Sequence, residues 1–417
     1  MLVHRVLGPT LSLAAAAILA AGCISGPSTQ TPAPSTVVIG ILTDMGTGNL
    51  DAARGSQLAV DIVNRSFPNI PIPLAASVGL PDLHGARLTL VTADTHGDAG
   101  RVSDAAATLV NQGHASTIIV TGAPEVAAAA GSAAKRLSVP VIDAANTADY
   151  ITDLGLEWYF RAGPSDQMLV ETALAAVHRQ VGGPARIAML TATETTSAGV
   201  AALVTDLATR SGDTVTRARP SATPGTPKPS SEPAQVYADQ FDVIFALAGT
   251  PAEAADVRHA AAGMTRRIPI LCLGTGFDEV TPSTGDSTLF RAVPWSAEFA
   301  LRSPPARGVM TEYQRRFSAT MTLAAASSFI ATMIAAIAID EAVSADPAEV
   351  RNALRRLSLP ATEITMPWNG VQFDASGQNR LAAGVIEAMV AGHFEVVYPR
   401  ELAAGPMVWP TATGPKP

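Results

Sequence analysis

Ser132-Ala133-Ala134-Lys135 has the S-x-x-K spacing at which a lysine can activate a serine for acyl transfer. That chemistry needs a K-T-G or S-D-N partner; the chain has neither, and both residues fall within an alanine-rich helical segment. H-E-x-x-H, Walker A and G-x-S-x-G patterns are absent too. Asp94, His96 and Asp98 carry metal-ligand chemistry in one short stretch. The plainer expectation is a solvated loop in which Asp98 caps the following helix. No catalytic residue, metal or cofactor is therefore expected, and reversible binding is the chemistry left to explain.

Binding residues have to be positioned by strands. Ser116–Val120 is an apolar, β-branched run ending at Thr121-Gly122, and Val139–Ile142 is a second ending at Asp143, with an alanine-rich helix between them. Two such runs around a helix read as a right-handed βαβ crossover, so both turns lie at carboxyl ends of neighbouring parallel strands. Ligands of open α/β sheets bind there.

The same unit repeats along the chain. Val37–Leu42, a glycine-bearing loop and a helix over 51–64 come first; a strand at Arg87–Thr92 and a helix over 102–111 follow. Trp158–Arg161 leaves this set, and Pro164-Ser165-Asp166 opens a helix to about residue 179. A second set has strands at 186–190, 243–247 and 268–273, with helices over 197–211 and 252–263. Two α/β sets imply two Rossmann-like lobes and a cleft between them. Pro220–Pro233 reads as a disordered loop of the second lobe. Phe317–Ile339 is uncharged and long enough to span a membrane, but its stripe of Ile330, Met333, Ile334 and Ile337 favours a helix laid on a soluble core. Pro347 then opens a helix over 348–357, whose Arg351, Arg355 and Arg356 read as a solvated face.

The 417 residues suffice for two substantial cores, and 47% hydrophobic with 15% charged residues is a folded composition. A net charge of −8 without clustered Lys and Arg argues against nucleic acid and for a small solute. At the N-terminus, Arg5 precedes an uncharged run from Val6 to Gly22, which reads as a signal peptide over 1–22. Leu19-Ala20-Ala21-Gly22 before Cys23 resembles a bacterial lipobox, with Cys23 lipidated and a flexible tether over 23–36. A diacylated cysteine supplies two chains, enough for stable anchoring at the cell membrane. Cys272 is then the remaining cysteine, expected as a buried strand residue.

Longer stretches resemble the branched-chain amino acid-type substrate-binding proteins of ABC importers, which have the type I periplasmic-binding fold. The resemblance is carried by residues 37–64, 88–113, 159–166 and 369–399. Its most specific part is Gly370-Val371-Gln372-Phe373-Asp374 followed by Gly377-Gln378-Asn379. It implies lobe 1 from 37–163 and 295–366, lobe 2 from 164–294 and 367–403, a tail over 404–417, and a multi-crossover hinge near 161–165, 291–296 and 366–370. Trp295 and Trp368 sit beside that hinge, against a ligand or in the core.

The partners implied are a small polar or zwitterionic solute and an ABC permease; the alternative is a sensory lipoprotein of the same fold that signals to a partner protein. The implied ligand set is Gly122, Glu125, Ala145, Asn146 and Thr147 in lobe 1, with Thr196, Thr250 and Asp278 in lobe 2. Ala145-Asn146-Thr147 matches the family's ligand turn. Gly122-Ala123-Pro124-Glu125 departs from it, offering no hydroxyl for a carboxylate and adding an acid. The family's aromatic positions fall at Thr196 and near Gly249, and its ammonium-pairing acid falls near Gly276, leaving Asp278 as the nearest substitute. An ammonium desolvated without a carboxylate partner costs several kcal/mol, so a branched-chain amino acid ligand does not follow.

Overall fold

The computed structural model describes residues 35–46, 50–191, 198–218, 241–262, 268–278 and 289–409. The signal peptide, Cys23, Thr196 and the Pro220–Pro233 stretch lie outside the described residues.

Strands β1 (Thr36–Thr43), β2 (Arg87–Asp94), β3 (Ala115–Val120), β4 (Val141–Asp143) and β5 (Tyr159–Arg161) form an all-parallel sheet in the order β2-β1-β3-β4-β5. Helices α1 (Leu50–Asn64), α2 (Val102–Asn111), α3 (Pro124–Leu137) and the short α4 (Tyr150–Asp153) connect them. Alternate strand residues point into separate cores. Ile39, Ile119, Ile142 and Phe160 face one side, while Leu42, Ile118, Val120 and Val141 face the other. A sheet covered on both faces needs near-continuous apolar strands, and every residue of β3 is buried.

The chain then crosses to α5 (Asp166–Val181), which has Ser165 as its cap, and builds a second sheet. Strands β6 (Arg186–Thr191), β7 (Thr214–Ala218), β8 (Val243–Leu247), β9 (Ile270–Leu273) and β10 (Leu289–Val293) accompany helices α6 (Ala198–Arg210) and α7 (Pro251–Ala262). These strands are parallel in the order β10-β9-β8-β6-β7, which repeats the order of the first sheet. Cys272 is fully buried in β9, as a strand residue.

The chain returns to the first core through α8 (Ala297–Arg302), α9 (Pro304–Phe317), α10 (Leu323–Ala342) and α11 (Pro347–Arg356), then pairs β11 (Leu359–Pro360) with β12 (Gly370–Val371). Trp368, Val371, Phe373 and Ala382 pack in the first core, and the chain joins the second sheet at β13 (Val385–Val390), antiparallel to β10 and followed by β14 (His393–Tyr398). The last passage between lobes thus follows Ala382, later than the 366–370 expected, because the Phe373–Gln378 turn binds the end of β5. Past 403, Met407 and Trp409 pack on the second core, with the Trp409 ring 5.5 Å from that of Phe290.

Helix α10 is the one helix among the described residues long and apolar enough to cross a membrane. Residues 325–340 are all buried, so it is enclosed on every side and the expected single stripe is only part of its contact. Its closest neighbour is α1. A Cβ on Gly55 would stand 2.1 Å from the Ala325 carbonyl oxygen, so glycine sets the approach of the two backbones. Gly55→Ala is expected to lower unfolding free energy by about 1–3 kcal/mol, the range for overpacking, as read by urea denaturation. Arg351 and Arg355 are not merely solvated: Arg351 Nε and Arg355 Nη2 donate to the Glu157 carbonyl at 2.9 and 3.0 Å, docking α11 on the β4–β5 connection.

Candidate functional site

A 2-1-3-4-5 strand order reverses direction between its first and third strands, and the crevice at that switch point is where such sheets bind ligands. Here each sheet has one, between β1 and β3 and between β6 and β8. The loops at issue are those at the carboxyl ends of these strands and their neighbours.

In the first lobe, β3 ends in buried Thr121, whose hydroxyl lies 2.8 Å from that of Thr43 at the end of β1. Gly122 follows at φ +136°, a conformation that glycine adopts without strain. Gly122, Ala123 and Glu125 are exposed here, with Glu125 in the first turn of α3.

The turn after β4 is built on Asp143. Its fully buried carboxylate accepts from the Ala145 and Asn146 backbone N–H groups, each at 3.1 Å, and from the Tyr159 hydroxyl at 2.6 Å. The Asn146 side chain donates to the Gly122 carbonyl at 3.0 Å, so it locks the two turns together rather than reaching outward. Ala145 is exposed and Thr147 half-buried. The Thr147 carbonyl accepts from Asp166 N at 2.7 Å and its hydroxyl bonds the Asp166 carboxylate, tying the turn to the start of α5.

Burial pushes the Asp143 carboxyl above its ordinary value, outweighing the bonds from Tyr159, Asn146 and Ala145 and the field of Arg161. A raised carboxyl contributes stability that is full below its unfolded pKa, about 3.9, and lost as pH rises through the folded value. Asp143→Asn keeps an acceptor for the turn and removes this titration. The difference in unfolding free energy, variant minus parent, is therefore expected to rise from about pH 4 towards neutrality in urea melts at stepped pH.

In the second lobe, Thr250 caps α7: its hydroxyl accepts from Glu253 N at 3.3 Å, while Glu253 Oε2 accepts from Gly249 N at 2.8 Å. The turn after β9 leans on this cap. Gly276 N donates to the Ala248 carbonyl, and a Cβ on Gly276 would lie 2.3 Å from the Thr250 carbonyl oxygen. Any side chain at 276 would therefore collide with the Thr250 backbone. Asp278 is half-buried, its carbonyl accepting from Arg291 Nη1 at 3.0 Å. The structure thus brings Gly122, Glu125, Ala145, Asn146 and Thr147 to the end of one sheet and Thr250 and Asp278 to the corresponding end of the other.

The family model for periplasmic binding proteins matches residues 36–387. The chain belongs to the periplasmic binding protein family. No curated protein matches it in sequence. Among solved structures, an ABC transporter substrate-binding protein from Desulfitobacterium hafniense, in complex with Leu, is 19% identical with a TM-score of 0.66, over 87% of this chain and 99% of that one. The branched-chain amino acid transporter substrate binding protein LivJ from Streptococcus pneumoniae, in complex with isoleucine, is 18% identical with a TM-score of 0.60, over 87% and 100%. A solute binding protein of an ABC transporter from Rhodopseudomonas palustris, in complex with 3,4-dihydroxy benzoic acid, is 15% identical with a TM-score of 0.61, over 86% and 95%. At these identities the likeness is one of fold.

In this periplasmic binding protein the Gly377-Gln378-Asn379 motif gathers the end of β5 and the residues that follow it. Arg161, 1% exposed at the end of β5, donates through Nε to Gln378 Oε1 at 2.6 Å, through Nη1 to the Ala148 carbonyl at 2.6 Å and through Nη2 to Thr152 Oγ1 at 3.0 Å. Gln378 Nε2 donates to the Gly163 carbonyl, and Asn379 Nδ2 to those of Ala162 and Gly370. Trp368 Nε1 donates to the Pro294 carbonyl at 3.1 Å. Trp368 and Trp295 are both core residues, with the Trp368 indole bonded to the segment that leaves β10. The most specific part of the family resemblance therefore fastens the end of β5 to the segment around β12.

Asp143, Tyr159 and Arg161 hold the turn after β4 and are absent from the sequence-derived set. The available signal was a polar residue ending each of β4 and β5, Asp143 and Arg161, where apolar strands meet the cleft. Asp94 ends β2, and His96 and Asp98 lie in the turn that follows. Asp94 Oδ1 accepts from Met45 N and His96 N, Asp98 Oδ1 caps at Gly100 N, and no cluster of three metal-ligating side chains occurs among the described residues. Ser132 is exposed and donates to the Ala128 carbonyl within α3.

Proposed function

We propose that the chain is an extracytoplasmic solute-binding lipoprotein, anchored through Cys23, that closes two lobes on a small polar or zwitterionic solute and delivers it to an ABC importer. The observation that carries this reading is the pair of equivalent switch points, of which the first is bonded to the start of α5, where the chain passes to the second sheet. Thr147 is bonded to Asp166 at the start of α5, and Arg161 joins the same turn to Gln378, so contacts made by a solute in the cleft bear directly on the segments that cross between lobes. Closure of this type shifts a population towards the state in which both lobes touch the solute. No covalent step is part of this reading.

The solute contacts assigned are Ala145 and Thr147 from lobe 1 and Thr196 and Asp278 from lobe 2, with Gly122, Glu125 and Thr250 at the rim. Leucine and isoleucine are ligands of structural neighbours, which supports an amino acid-like solute. Mass spectrometry of the small molecule that co-purifies with the mature domain would name it. Titration calorimetry with that molecule then tests the site. Thr147→Ala is expected to weaken binding at least about fivefold, the value of one lost hydrogen bond, and unchanged affinity would remove Thr147 from the site.

A further inference from the structure

We infer that Asp149 is a positioning residue for the approach of the two lobes: from the turn assigned to the solute its carboxylate caps α5, the helix by which the chain enters the second sheet, and so fixes how that helix leaves the first. The inference rests on the solute-binding reading and adds to it the side chain through which the first ligand turn bears on lobe orientation.

Asp149 stands at the N-cap position of α4, where an aspartate ordinarily accepts from the N–H groups of its own helix. It makes no such bond. Its Oδ2 accepts instead from Gln167 N, in the first turn of α5, at 3.1 Å. Two residues earlier the Thr147 carbonyl accepts from Asp166 N at 2.7 Å. The opening N–H groups of a helix have no partner within it. Here those of residues 166 and 167 go to the 147–149 segment, and that of Met168 goes to the cap of α5 itself, Ser165 Oγ, at the longer distance of 3.4 Å. A carboxylate at this end also complements the helix dipole.

Both sides of this junction are stiff. On the first lobe, Arg161 Nη1 donates to the Ala148 carbonyl at 2.6 Å, while Thr152 Oγ1 donates to the Asp149 carbonyl at 2.9 Å and accepts from Arg161 Nη2 at 3.0 Å. On the other side, α5 runs for 16 residues without glycine or proline, so nothing in it provides for a kink. Met168 packs on the first core, whereas Val170, Ala173, Leu174 and Val177 belong to the second. A Cβ on Gly384 would lie 2.5 Å from Leu169 Cδ2, so the last passage between the sheets is packed against the same turn of α5. A swing of the second sheet is therefore carried by α5 to its first turn. The caps from Thr147 and Asp149 survive only in the orientation that keeps residues 166 and 167 over them, and each cap weights the lobe population towards it.

The test measures lobe orientation in the mature chain without added solute. In a Cys23→Ser background, spin labels go on cysteines introduced by Ser132→Cys on α3 and Ala202→Cys on α6; both positions are exposed, and native Cys272 is buried. Pulsed dipolar spectroscopy then gives the distribution of distances between the lobes. The ratio of the principal parent distance to all others is expected to fall about fivefold in Asp149→Ala, the value of one helix cap, and to stay near the parent in Asp149→Asn, which keeps an acceptor. Asp346→Ala is the control. It removes the cap that Asp346 Oδ1 gives to Ala348 N and Glu349 N of α11, a helix packed on the first core. Urea melts are expected to show similar small losses in the two alanine variants, with the distance change confined to Asp149→Ala. An unchanged ratio in Asp149→Ala, or an equal change in Asp346→Ala, would overturn the inference and leave solute capture standing. No solute is added, so this result and the solute-binding reading fail independently.

Discussion

Asn379→Ala is expected to lower the unfolding free energy by at least about 3 kcal/mol. Asn379 has no exposed surface, and its side chain donates to the carbonyls of Ala162 and Gly370 and accepts from the N–H groups of Gln372 and Leu381. Alanine leaves these backbone groups without partners in the interior, and each buried unsatisfied group costs about 1–3 kcal/mol. Urea denaturation gives the loss directly, and a shift below about 1 kcal/mol would show that the end of β5 and the β12 segment hold together without these bonds.

The second large effect is expected at Glu387. On β13 it stands opposite Arg291 of β10, with Oε2 2.6 Å from Arg291 Nε, at 2% and 13% side-chain exposure. Arg291 also stacks over the Phe394 ring at 3.8 Å and donates to the carbonyls of Phe277 and Asp278. Glu387→Ala strands that guanidinium inside the sheet, at a cost of about 3–5 kcal/mol. Replacing both partners by methionine should recover most of the loss, since desolvation of a buried pair cancels much of its attraction. A four-way cycle of urea melts over the parent, both single variants and the double variant checks this. Additive losses would mean that the pair does not act as a unit. The solute site should register the change as well, because Arg291 fixes the turn that carries Asp278.

Much of the scaffold was legible because the signals are local. β1, β2, β3 and β8 are apolar β-branched runs, and α1, α2, α5 and α11 were located by helical periodicity to within a residue or two at most ends. The elements left unread have local patterns that mislead. β10 carries Arg291 at its centre, which argues against a buried strand until Glu387, 96 residues away, is seen opposite it. β7 reads Thr-Val-Thr-Arg-Ala, a half-exposed edge strand without a strong apolar run. α8 and α9 are short or largely polar, and the apolar positions that seat them, Ala300, Ala306, Val309 and Tyr313, find their partners only in the first core.

The candidate site divides in the same way. The amino-acid sequence by itself determined that two α/β sets end in glycine- and hydroxyl-bearing turns, and that the turn after β3 bears an acid and lacks a hydroxyl. Those are properties of consecutive residues, and periodicity reports them. Only the tertiary structure decided what each group is free to do. Asn146 is committed to Gly122, Thr147 to Asp166, and Gly276 to the close approach of Thr250, while Arg161 reaches Gln378 across 217 residues of chain. Whether a polar group faces a solute or another part of the protein depends on which distant segment the fold brings within 3 Å of it. Hydrogen bonds of that length are set by packing, and the local sequence pattern carries no record of the partner.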